Sequence, residues 1–169
     1  GPGAAALASA KLAAMPVFRS ALLRFADDGM ALFDPDGLLA VGPDAQGRQR
    51  VLAAGAWSDL APRFGSGPVE HLPGRIIAPG FVDMHIHFPQ TDVIGSPADG
   101  LLPWLENYTF PHEKRFVAPD YSAQVAQFFI AELLRNGVTT ALAFATSHPA
   151  SAQALFVEAQ HHQMRLITG

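Results

Sequence analysis

Two histidines one residue apart, His85 and His87, end the run Pro79-Gly80-Phe81-Val82-Asp83-Met84-His85-Ile86-His87. If the run is a β-strand, its side chains alternate, and residues two apart project from one face. Two imidazoles there can reach one ion at about 2.0–2.1 Å. The plain alternative is a pair of core histidines. Such a pair needs partners for both nitrogens of each ring, and the opposite face, Val82, Met84, Ile86 and Phe88, is wholly apolar and expected to pack under helices. We therefore read His85 and His87 as metal ligands. Imidazole serves zinc, iron, nickel and copper alike, so the spacing leaves the metal open. Asp83 shares the histidine face in a regular strand. It either orients a ligand histidine from behind or satisfies a backbone amide.

The elements that must position this pair follow from periodicity and punctuation. Residues 79 onward read strand (81–88), long connection (89–119), helix (120–136), strand (138–145), helix (147–163), strand (165–168). The first helix is well marked. Pro119-Asp120 starts it, Val125, Phe128, Phe129, Leu133 and Leu134 give it an apolar face, and Gly137 stops it. This alternation is that of a parallel sheet, whose reactive groups sit at the C-terminal strand ends. Residues 15–78 read as short strands at 17–25, 50–53 and 69–77, with a short helix at 56–64. Asp34-Pro35-Asp36-Gly37 is expected to turn between strands at 31–33 and 38–41. Residues 1–14, Gly1-Pro2-Gly3 and Ala-rich filler, read as a tag or linker, with Met15 as the natural start.

Composition narrows the setting. Hydrophobic residues make up 49% of the 169 and charged ones 15%, the balance of a chain that buries most of itself. With no cysteine, disulfides and thiolate metal sites are excluded. A net charge of −4 gives no reason to expect nucleic acid or an anionic membrane as partner. No apolar stretch reaches the roughly 18 residues of a membrane span. The expected compartment is the cytoplasm.

The run from Pro79 to His87 resembles the opening barrel strand of the amidohydrolase superfamily, and residues 15–78 resemble the N-terminal half of that superfamily's small β-sandwich. Within it, His85-Ile86-His87-Phe88-Pro89-Gln90, Leu101-Leu102-Pro103-Trp104-Leu105-Glu106-Asn107-Tyr108-Thr109-Phe110-Pro111 and Phe144-Ala145-Thr146-Ser147-His148 are similar to the branch that acts on guanine. The resemblance implies an α/β chain: the first units of a metal-dependent (β/α)8 hydrolase barrel, preceded by part of a β-sandwich. It implies hydrolysis of guanine to xanthine and ammonia with one zinc, iron being the runner-up, and a homodimer as the assembly. His85 and His87 match two of the metal ligands and Gln90 a substrate-binding glutamine. Trp104 and Phe110 either wall the pocket or simply pack. His148 is expected to make a structural hydrogen bond, and His161 and His162 to be solvated.

The resemblance also says what to look for elsewhere. A full barrel takes about 250 residues, and residues 79–169 offer room for two units and the start of a third. The remaining ligands and the proton-shuttling carboxylate belong to later strands, so no catalytic acid or base is assigned here. The chain is expected to be an N-terminal portion, inactive alone, whose partner is the rest of the same polypeptide. Two alternatives stand beside this one: another ring deaminase or cyclic amidase of the superfamily, and an inactive scaffold.

Overall fold

The computed structural model describes residues 15–169, which form two compact units, one ending at Pro79 and one running Gly80–Gly169. The tag or linker assigned to residues 1–14 lies outside the described residues.

The first unit is a four-stranded sheet of β1 (Val17–Phe25), β2 (Ala31–Pro43), β3 (Gln49–Ala56) and β4 (Val69–Ile77), in the order β3-β2-β1-β4. β4 lies parallel to β1 and the other pairs are antiparallel. Helix α1 (Trp57–Phe64) lays Trp57, Leu60 and Phe64 over Val17, Leu38 and Ala40. The expected turn at Asp34-Pro35-Asp36-Gly37 is not there; β2 runs straight through those residues. The reversal lies earlier, at residues 26–30. Gly29 takes φ +84°, its N–H donates to Ala26 O, and the Asp28 carboxylate accepts the Met30 N–H. Tertiary contacts decide between two segments of similar turn chemistry. Arg24 pairs with Asp34 at 2.8 Å and Arg19 with Asp36 at 2.7 Å, which holds the would-be turn against β1. Pro35 has no N–H to give a ladder, and it falls in a β-bulge where Pro35 and Asp36 oppose Ala21 alone. On the other side of β1 the buried Ser20 hydroxyl donates to Arg75 O at 2.7 Å, tying down a second irregularity against β4.

The second unit is a parallel sheet of β5 (Phe81–His87), β6 (Val138–Phe144) and β7 (Arg165–Thr168), in that order, with helices α2 (Pro119–Arg135) and α3 (Pro149–His161) between strands. Its core joins Phe88, Phe116, Val125, Phe129, Ile130 and Leu155 to Ala141 and Ala143 of β6. α3 starts two residues later than its pattern predicts, because Pro149 sits in its first turn, where a missing N–H costs nothing. The long connection after β5 is not an open loop. It begins as a 3-10 turn (Phe88–Val93), and later runs almost continuously helical from Leu101 to Val117, with Pro111 in a first turn and a π turn at Leu105–Thr109.

One expectation about β5 fails. Ile86 and Phe88 join the helix-covered core, but Val82 and Met84 are 58% and 63% exposed. The register explains the break. Between Asp83 and Ile86, two residues of β5 oppose only Leu142 of β6, a β-bulge. Asp83 therefore pairs with Ala141 and His87 with Phe144, which lie on opposite faces of β6. Strict alternation does not hold, and Asp83 does not share the histidine face.

Candidate metal centre

β5 delivers His85 and His87 at its C-terminal end, as the parallel topology requires of a reactive site. Their Nε2 atoms lie 3.2 Å apart. Such a pair has two chemical readings. With different tautomers one ring donates to the other; with both lone pairs free they converge on a cation. The spacing suits the second, since neighbouring ligands on a tetrahedral zinc with bonds of about 2.0–2.1 Å lie roughly 3.3–3.4 Å apart. His87 is half-buried, whereas His85 is exposed, so the pair is less enclosed than its apolar strand predicts.

Three contacts hold the pair. The Asp83 carboxylate accepts the His85 backbone N–H at 3.0 Å, which fixes the bulged backbone. Of the two roles open to Asp83, the structure displays the backbone one. Phe144 lies against both imidazoles, at 5.1 Å from His85 and 4.8 Å from His87, and stacks on the latter at 22°. Phe88, the next residue after His87, is fully buried against Phe116 and Phe129 at 4.9 and 5.4 Å. Sequence reasoning assigned no role to Phe144. The signal was available, since parallel strands align their C-terminal ends and β6 ends in an aromatic.

Gln90 sits half-buried on the 3-10 turn and borders an open cleft of about 530 Å³ with His87, Ile86 and Phe129. The same turn is closed by the Thr91 hydroxyl donating to Phe88 O at 2.7 Å. Trp104 is half-buried in the helical run and does not border that cleft; Phe110 is 48% exposed. His148 takes part in a hydrogen-bonded turn through its backbone, its N–H donating to Thr146 and its carbonyl accepting from Ser151. His161 and His162 flank Glu158, at 3.7 and 3.1 Å. Among the described residues no third histidine, cysteine or carboxylate joins His85 and His87 in a group able to hold a metal. Two nitrogens fit an ion in type and spacing, but two are too few to retain a catalytic one. No helix of the described residues is long and apolar enough to cross a membrane.

A model of the amidohydrolase family matches residues 76–169. The guanine deaminase of Escherichia coli (strain K12) is 40% identical over 147 residues, 87% of this chain and 31% of the E. coli protein. The crystal structure of guanine deaminase from Bradyrhizobium japonicum is similar with a TM-score of 0.81 at 33% identity, over 92% of this chain and 34% of that one. The guanine deaminase of C. acetobutylicum, solved with guanine bound in its active site, gives 0.76 at 28% identity, over 92% and 36%. The chain thus spans about a third of the length of these relatives.

Proposed function

The chain belongs to the amidohydrolase family, and we propose that it forms the opening part of a guanine deaminase, which hydrolyses guanine to xanthine and ammonia. The observation that carries the proposal is the His85–His87 pair, with Nε2 atoms 3.2 Å apart and Gln90 on the turn that follows. The 40% identity to the E. coli guanine deaminase supports the choice of substrate.

In this reading His85 and His87 are two of the ligands of a zinc ion, and the others come from residues outside this chain. An ion held by His85, His87 and those further ligands would supply, when bound, a water whose pKa is lowered toward about 7. Phe144 restricts rotation of the two imidazoles. Asp83 keeps the His85 backbone in its bulged conformation. Gln90, whose amide donates and accepts together, reads the edge of the purine. No carboxylate of this chain is assigned to proton transfer, which falls to a residue elsewhere in the polypeptide.

The test is ammonia release by the full, metal-loaded polypeptide, with guanine set beside adenine, cytosine and hydantoin. Guanine is the expected substrate, with metal analysis giving one zinc per chain. Preference for another ring points to a different hydrolase of the family. Bound metal with no turnover of any ring points to an inactive scaffold.

A further inference from the structure

The turn that follows His87 is anchored at both ends. At its start, Phe88 is fully buried against Phe116 and Phe129. At its far end, the Tyr121 hydroxyl donates to the Asp92 carboxylate at 2.5 Å. Arg115 lies 3.8 Å from the same Asp92 oxygen and sets its guanidinium 4.0 Å from the centroid of the Tyr121 ring. The Tyr121 ring in turn meets Phe116 edge-on at 5.0 Å. Phe88, Phe116, Tyr121 and Asp92 therefore form a circuit of contacts that closes on the turn where it began. Gln90 lies between the two anchors, on the cleft it shares with His87.

Stability alone explains this arrangement poorly. Asp92 and Arg115 are exposed, and exposed ion pairs contribute little to folding. Placement explains it better. A glutamine amide reads a ring edge only if its oxygen and its nitrogen face the right atoms, because a flip exchanges donor for acceptor. A turn already held in one conformation also spares the binding step the cost of ordering it. We propose that Asp92, Tyr121 and Arg115 are positioning residues that lock the Phe88–Val93 turn and so present Gln90 to the purine in one orientation. The identity of what Gln90 meets rests on the guanine deaminase reading; the lock itself does not.

The experiment uses the full, metal-loaded polypeptide with Tyr121→Phe, Asp92→Ala and the double variant. Tyr121→Phe deletes only the hydroxyl and keeps the ring against Phe116. Three readouts are taken: metal content, guanine kinetics, and hydrogen exchange of the amides at residues 88–93. Tyr121→Phe is expected to keep its metal, speed exchange in the turn, and raise KM about five- to tenfold while kcat stays within about twofold. Asp92→Ala, which also releases Arg115, should do at least as much, and the double variant no more than Asp92→Ala, since both single changes remove the Tyr121–Asp92 link. Unchanged exchange and unchanged KM in Tyr121→Phe overturn the proposal. Loss of metal, with kcat and KM failing together, also overturns it, by reducing the cluster to a structural brace. If the unaltered protein does not act on guanine, the deaminase reading falls, and exchange alone decides the lock: faster in Tyr121→Phe sustains it, unchanged refutes it.

Discussion

His87 stacks on Phe144 with ring centroids 4.8 Å apart and planes 22° apart, and the two residues are paired across β5 and β6. A stacked ring cannot swing freely, so its nitrogen is already aimed before any ion arrives. Hydrogen-bond partners behind a ligand typically change metal affinity by about 10- to 100-fold, and a stacked ring orients the imidazole without adding a hydrogen bond. Phe144→Ala in the full polypeptide is therefore expected to weaken zinc binding by up to about tenfold, measured by competition with a chromophoric chelator. Phe144→Tyr keeps the stacking and should bind nearly as the parent does. Equal affinity in parent and Phe144→Ala would show the stack to be incidental.

The histidines themselves make a sharper prediction. His85 is exposed and His87 half-buried at a strand end, so neither carries much of the core. His85→Ala and His87→Ala should each leave the far-ultraviolet circular dichroism unchanged and abolish stoichiometric zinc by atomic emission. A variant that folds and still binds one equivalent removes that residue from the ligand set.

Stability in the first unit is expected to hinge on a missing methyl group. A Cβ placed on Gly37 would lie 2.5 Å from Leu22 Cγ, and Leu22 is only 3% exposed and has little room to move. Gly37→Ala should destabilise by about 1–3 kcal/mol, as overpacking does, read from denaturant unfolding. Leu22→Ala supplies the control, because it removes the two nearest atoms and leaves only the Cβ at position 22, 3.1 Å away, so much of the cost should vanish. A cost of the same size in both backgrounds rules out the clash.

Tyr121 offers a pH test. Burial of the phenol, and then the hydrogen bond to Asp92 and its charge, push its pKa from 10.0 up to about 12, against an opposing pull from Arg115. The folded value lies above the unfolded one. The phenol's contribution to stability is thus complete below pH 10 and is lost as pH rises through about 12. Asp92→Ala removes both of the upward causes that Asp92 supplies, the hydrogen bond and the charge. The tyrosinate absorbance step of Tyr121, taken as the difference from a matched variant that also carries Tyr121→Phe, should then move to lower pH. A step that does not move means Asp92 leaves this hydroxyl unperturbed.

How much of this was legible in the sequence depended on the range of the interaction. The order of strands and helices from Phe81 onward follows from local periodicity. α2 shows it most clearly, with its apolar stripe, Pro119 at the start and Gly137 just past the end at φ +81°. His85 and His87 stood out because their relationship spans two residues. The turn in the first unit was misplaced because Asp34-Pro35-Asp36-Gly37 has turn chemistry as good as that of Asp27-Asp28-Gly29. Arg19 and Arg24, distant in sequence, settle the choice. The bulge at Met84-His85 was hidden for a similar reason. Nothing in a single strand's alternation reports where its neighbour skips a residue, so Asp83 was assigned to the wrong face. Phe144 and Tyr121 reach the site across 57 and 29 residues, to His87 and Asp92, separations at which spacing carries no signal; for Phe144 only the aligned ends of parallel strands point to it.

His87 and Phe88 are consecutive, one facing the candidate centre and the other at the middle of the core. No linker insulates chemistry from packing there. Drift in the hydrophobic residues of α2 that leaves the fold standing will still tilt Phe88 and, through one peptide unit, the imidazole before it. Such a lineage can vary the exposed positions of the helical run from Leu101 to Val117 far more freely than it can repack its interior. Divergence should therefore accumulate first at the exposed positions of that run, while the buried Phe88, Phe116 and Phe129 change together or not at all.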